Sequence, residues 1–240
     1  MLVYLDNNIL IDYEDEKKEL PLVPEVNYVY SYTHIQELLE IKDNFDKRKV
    51  KRLQTIKKLT SSKYVQHNDN MQLSLYEGDP SEVFASVTSL LSKQHSLLIN
   101  QATSHWMVDK YPKLLVGTLN IEKKVINNYS PEMLIEKYGN IIIGHITSTR
   151  NSVQEGFQSC FNILDAIGFW KDKINKGSTM NRSFDANHAY FATLCNYFVT
   201  NDRNTRIKAN VAYRLYGFKT KAVSYEEFIN RSTENHNLNS

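Results

Sequence analysis

Apolar residues at the start of the chain form a short unbroken run, Leu2-Val-Tyr-Leu, that stops abruptly at Asp6 and the pair Asn7-Asn8. A run of that length is the mark of a strand buried on both faces. The turn after it leads into Ile9, Leu10, Ile11 and Tyr13, which predict a short helix. A second aromatic and β-branched stretch, Asn27-Tyr-Val-Tyr30, predicts another strand. It runs into Thr33 and Gln36, whose spacing is that of a capping box, so a helix carrying Ile35, Leu38 and Leu39 on one side is expected to start there.

From Lys42 to Lys63 the pattern is a basic amphipathic helix, with Leu53, Ile56 and Leu59 on one face and Lys47, Arg48, Lys49, Lys51, Arg52, Lys57 and Lys58 around them. A solvated outer face and a phosphate-contacting surface explain those charges equally well. Residues 78–150 read as a mostly helical insertion, with one helix from Asp79-Pro80-Ser81 through Leu91, another near Leu97 to Tyr111 and more after Pro131. The last third regains a clear rhythm. Gln158 to Phe169 suits a helix closed by Gly168, Lys171 to Arg182 a loop, and Ser183 a cap for a helix from Phe184 through Asn196. Tyr197-Phe-Val-Thr200 then reads as a strand, Arg203 to Tyr216 as a helix stopped by Gly217, and Thr220 to Val223 as a final strand before a short helix. Strands alternating with helices predict an α/β fold on a parallel sheet of about five strands. The expected organisation is one domain over residues 1–228 and a polar tail over 229–240.

Composition narrows the function classes. With 240 residues, 41% hydrophobic and 23% charged, the chain is expected to fold rather than stay disordered. Its longest apolar run, near Ile141 to Ile146, is far shorter than the roughly 20 residues a spanning helix needs, and acids interrupt the first fifteen positions; a cytoplasmic protein without a membrane partner is expected. Cys160 and Cys195 lack any metal-ligand spacing, so they read as buried apolar residues. A net charge of +2 means that attraction to nucleic acid has to come from local patches.

Four acids carry the candidate chemistry. Asp6 and Asp202 follow predicted strands, where the crevice of an open parallel sheet lies. Glu37 and Asp185 lie in the first turns of predicted helices. If the strands are neighbours, the four carboxylates converge, and such a group repels itself unless hard cations such as magnesium or manganese fill it. Each acid alone is more often a cap or a turn former.

The segments Leu2-Val-Tyr-Leu-Asp6-Asn-Asn-Ile-Leu-Ile, Tyr30-Ser-Tyr-Thr-His-Ile-Gln-Glu37, Phe184-Asp185-Ala-Asn-His-Ala-Tyr and Phe198-Val-Thr-Asn-Asp202-Arg-Asn resemble the four motifs of PIN-domain nucleases. The resemblance covers roughly residues 1–45 and 150–228. It implies a PIN-like three-layer fold and an Mg2+- or Mn2+-dependent ribonuclease, an endoribonuclease, that hydrolyses phosphodiester bonds of RNA. It also implies that Asp6, Glu37, Asp185 and Asp202 are catalytic metal ligands. Thr200 and Asn201 would position a ligand water or phosphate, and His188, Arg203, Arg206, Lys49 and Arg52 are the remaining candidates for substrate contact. For His188 and His34 a structural hydrogen bond is the favoured reading, and for Arg203 and Arg206 a salt bridge or solvation is an equal one. Tyr190, Phe191, Tyr197 and Phe198 read as core. At Asn7-Asn8 the chain departs from the small or hydroxyl residue common in the family. Asn8 also excludes a haloacid-dehalogenase-like phosphatase, which needs Asp there. A PIN-like module that binds RNA or protein without cutting is the alternative; a protein inhibitor and a second copy of the chain are open partner classes.

Overall fold

The computed structural model describes residues 1–39, 46–89, 125–149, 152–171 and 178–237. Its centre is a six-stranded sheet built from β1 (Leu2–Leu5), β2 (Asn27–Ser31), β3 (Lys63–His67), β4 (Leu73–Glu77), β5 (Tyr197–Val199) and β6 (Lys221–Val223), in the order β4-β3-β2-β1-β5-β6. Every neighbouring pair is parallel except β3 and β4, which form an antiparallel hairpin. The fold is therefore α/β with a mostly parallel sheet, as the alternation of strands and helices predicts.

Side chains leave a strand on alternate faces, and here both faces are covered. Tyr4, Val29, Val65, Phe198 and Ala222 enter one core, whereas Val3, Leu5, Tyr28, Tyr30, Tyr64, Val199 and Val223 enter the other. Against the second core pack α1 (Asn7–Glu14), α2 (Tyr32–Leu39), α3 (Asp46–Thr60), the helix α4 that starts at residue 80, and α9 (Tyr225–Asn237). The first core is closed by α5 (Pro131–Thr149), α6 (Val153–Ile167), α7 (Ser178–Phe191) and α8 (Arg203–Tyr216). Leu134, Tyr138, Ile142 and Ile146 of α5 are buried in it, so the described end of the insertion belongs to the main core. Cys160 and Cys195 are buried and unpaired, as expected, and burial pushes both thiols up to about 12.

Helix ends explain where the sequence reading holds. Ser152 caps α6 by accepting the Glu155 N–H at 3.2 Å, and Gly168 ends it at φ +86°. Gly217 ends α8 at φ +74°, in the left-handed region that costs glycine least.

Other boundaries are corrected. Thr33 does not cap α2: it lies inside the helix, and Ser31 Oγ accepts its N–H at 3.2 Å. The basic helix ends at Thr60, and Lys63 opens β3; the β3–β4 hairpin went unread because its edge strand is half-polar and exposed. Ser183 does not cap a helix either, since α7 starts at Ser178 and ends at Phe191. Instead of a tail leaving the domain at residue 229, α9 continues to Asn237 with Ile229 packed on the core. The expected helix near Leu97 to Tyr111 and residues 172–177 of the expected loop lie outside the described residues. No helix among the described residues is long and apolar enough to cross a membrane.

Candidate active site

The chain winds outward from β1 through β2 to β3, then returns to place β5 on the other side of β1. The crevice at the carboxyl ends of β1 and β5 is thus the switch point, where open α/β sheets hold ligands. Asp6 sits in it. Its N–H continues the ladder by donating to the Val199 carbonyl at 2.9 Å, and its carboxylate caps α1 by accepting the Asn7 N–H at 2.7 Å. The other carboxylate oxygen accepts from Thr200 Oγ1 and Asn8 Nδ2, both at 2.6 Å.

Thr200 is wholly buried, and its hydroxyl also accepts from Asn8 Nδ2 and the Asp202 N–H, each at 3.1 Å. It is an anchor for the Asp6 carboxylate. Asn201 closes the same turn by donating its N–H to Asn8 Oδ1 at 3.2 Å and its side-chain amide to Asp12 at 3.1 Å.

Glu37 reaches the crevice from α2. Its Oε1 faces His188 Nε2 at 2.9 Å, its Oε2 accepts from Asn7 Nδ2, and His188 Nε2 also lies 3.9 Å from Asp6 Oδ1. Asn7, through its backbone N–H and its side-chain amide, and the His188 imidazole therefore link Asp6 and Glu37. Behind them runs a buried polar column: His188 Nδ1 lies 2.8 Å from the Tyr4 hydroxyl, which lies 2.6 Å from Ser31 Oγ and 3.3 Å from His34 Nδ1. His34 Nε2 donates to the Leu5 carbonyl at 2.7 Å while its Nδ1 accepts the Ser31 N–H at 3.1 Å, which fixes a neutral tautomer. Both histidines are held by buried hydrogen-bond partners, and the ring of His188 also faces the Glu37 and Asp6 carboxylates. Burial, reinforced by the charge of His188, pulls His34 down to about 3.

The electrostatics follow from this geometry. Burial raises Asp6 above the ordinary carboxylate range, and the Glu37 charge adds to the rise. For Glu37 burial acts in the same direction, but His188 and Asn7 outweigh it and hold the carboxyl low. Burial disfavours a charged His188, yet Glu37, Asp6 and Asp185 together raise it.

The four acids are brought together unequally. Asp6 and Glu37 share the bridging groups. Asp185, half-buried on α7 one turn before His188, contributes to its field. Asp202 is exposed and turned toward α8, where its carboxylate accepts the Thr205 N–H at 2.8 Å. Among the described residues no three His, Cys, Asp or Glu side chains form a group able to hold a metal.

Three of the basic candidate substrate contacts have partners of their own. Arg203 stacks on Trp170, 4.2 Å from the ring centre, and Arg206 Nη1 donates to the Thr200 carbonyl at 3.1 Å. Arg52 is ion-paired with Glu14, the two side chains being 12% and 8% exposed, whereas Lys49 is half-exposed on α3. Tyr190, Phe191 and Phe198 are core residues, as expected.

Sequence reasoning missed Tyr4, Ser31 and Asn7 as members of this network. Polar atoms inside otherwise apolar strands were the available signal at Tyr4 and Ser31, and two amides directly after a strand-end acid were the signal at Asn7. Comparison with protein-family models, with curated proteins and with solved structures gives no match for this chain.

Proposed function

We propose that this chain is a PIN-like, divalent-metal-dependent ribonuclease whose active site is the crevice holding Asp6 and Glu37. One observation carries the reading: two carboxylates, one at the end of β1 and one on α2, are held together at the switch point by buried donors, although burial and their mutual charge oppose it. The donor set suits a hard cation, being carboxylate oxygens and one buried amide oxygen, Asn7 Oδ1, that has no hydrogen-bond donor among the described residues. Asp6 and Glu37 would hold the ion, with Asp185 at the edge. Bound there, a magnesium or manganese ion supplies an activated water and neutralises charge on the phosphorus transition state.

The chain's own groups do the positioning. Thr200 and Asn8 orient one oxygen of Asp6 and so direct the other toward the crevice, and His188 and Asn7 fix the plane of the Glu37 carboxylate. Basic residues near the start of α3 would meet the RNA backbone. Because α3 leads into β3, which runs parallel to β2, that start points toward the same carboxyl edge of the sheet.

Asp202 favours a second reading, a PIN-like module that binds RNA or protein without cutting, because its carboxylate is engaged as a helix cap. Incubation with single-stranded and structured RNAs in Mn2+, Mg2+ or chelator separates the two. The nuclease reading expects metal-dependent internal cuts that disappear in Asp6→Asn; binding without new RNA ends in either metal, across the panel, overturns it.

A further inference from the structure

Asn7 is the first residue of α1 and is 5% exposed. Its backbone N–H is given to Asp6 and its Nδ2 to Glu37, so this one residue touches both carboxylates, the first through the main chain and the second through its side-chain carboxamide. Its Oδ1 is buried and has no donor among the described residues. The opposite amide orientation would set that oxygen against the Glu37 carboxylate and leave the nitrogen without the acceptor, so the chemistry fixes which end faces Glu37. A buried carbonyl oxygen without a partner is a standing cost unless something electropositive meets it. Beside two carboxylates, a divalent cation is the species that suits all three groups at once, because hard cations take amide oxygens as readily as carboxylate oxygens.

Resting on the metal-site reading above, we infer that Asn7 Oδ1 is a direct ligand of the divalent cation, a neutral third oxygen beside Asp6 and Glu37. Asn7 then has two roles at once: it donates to Glu37 through nitrogen and binds the ion through oxygen. It supplies the donor that Asp202, engaged at the start of α8, does not. The resulting site carries two formal negative charges against a doubly charged ion.

Titration calorimetry with Mn2+ alone, on the full chain, tests this without any turnover. The wild type should give a saturable isotherm. Asn7→Leu, close in size but without oxygen or N–H, should weaken Mn2+ by about tenfold or more, the scale on which metal sites respond to the loss of a supporting group. Asn7→Asp should keep or tighten the affinity while lowering the metal-free melting temperature, because it retains the oxygen and adds charge beside Asp6 and Glu37.

Unchanged Mn2+ affinity in Asn7→Leu overturns the inference, since an ordered water on Oδ1 would give that result. Equal weakening in both variants overturns it too, since donation to Glu37 alone would then be the role of Asn7. Should Asn7→Leu not fold, Asn7→Asp decides: weakened binding refutes, retained or tighter binding supports. A wild type that binds no Mn2+ removes the metal site itself along with this ligand, which sets that failure apart from a failure of Asn7 alone.

Discussion

Asp202 is committed in the structure to one local task. In the structure it caps α8 by accepting the Thr205 N–H at 2.8 Å, a bond that asparagine replaces well and alanine does not. Metal-free Asp202→Asn should therefore melt close to the wild type, whereas Asp202→Ala should lose about 1 kcal/mol, the usual value of a cap. Added Mn2+ separates this role from ligation. A ligand that binds only the folded state stabilises it by roughly 2.7 kcal/mol at a hundredfold excess over its dissociation constant. If Asp202 leaves the cap to join the ion, the Mn2+-induced rise in melting temperature shrinks in Asp202→Asn; if it remains a cap, the rise is intact. Thermal melts with manganese and with chelator read both quantities, and an intact rise removes Asp202 from the ligand set. Asp6 admits no such division, because it is 5% exposed and its carboxylate meets groups from α1 and the turn after β5.

Helix α3 makes the same point for a whole element. Its charge pattern is equally that of a solvated face and of a phosphate-binding face, and the structure divides it. Arg52 and Lys51 are tied to α1, through the Glu14 side chain and the Glu14 carbonyl respectively, and Lys57 pairs with Asp79 at 2.6 Å. Lys47 and Lys49 lie in the first turn, toward the site edge of the sheet. Arg52→Glu should set two buried acids together and destabilise by about 3 to 5 kcal/mol, as breaking a buried pair does. Lys47→Glu with Lys49→Glu should leave the melting temperature nearly unchanged, weaken RNA binding and flatten its salt dependence by about one unit of slope per lost phosphate contact. Chemical denaturation and a salt titration of RNA affinity measure the two effects, and an unchanged salt slope would return α3 to the solvated-face reading. Legibility in the sequence follows the strength of local signals. The boundaries of α8, its Gly217 stop and the strand after Asn196 were readable because caps, glycines and apolar runs agree there. The β3–β4 hairpin was not, since its pairing is decided by contact with β2 and by a turn containing Met71 at positive φ, neither of which leaves a pattern in sequence.

At the scale of the whole molecule, strand order turns four scattered motifs into one crevice. The placement of Asp6 and the β5 turn could be anticipated, because both follow predicted strands, at the edge where open parallel sheets hold ligands. The column of Tyr4, Ser31, His34 and His188 could not, since it depends on two strands and two helices meeting side chain to side chain. That column makes stability respond to pH in a definite way. Glu37 is held below its ordinary 4.5, so its contribution is present above that value and lost as pH falls through the lowered folded pKa. His188, facing Glu37, Asp6, Asp185, Tyr4 and His34, is raised above 6.5, so its contribution is full below that value and lost as pH rises through the folded pKa. Asp6, raised above 3.8, works against Glu37: its share is present at low pH and lost as pH rises. Metal-free protein should therefore lose melting temperature as pH rises from about 6.5 into the alkaline range, where Asp6 and Glu37 are both charged and the proton that balances them leaves His188. Glu37→Gln removes the largest attraction acting on His188, leaving burial, which acts in the other direction. The wild-type decline across neutral pH should flatten or reverse in this variant. Melts in chelator from pH 5 to 9, compared as the difference between the two proteins, give the answer, and a difference independent of pH would show that Glu37 and His188 do not share a proton-linked pair.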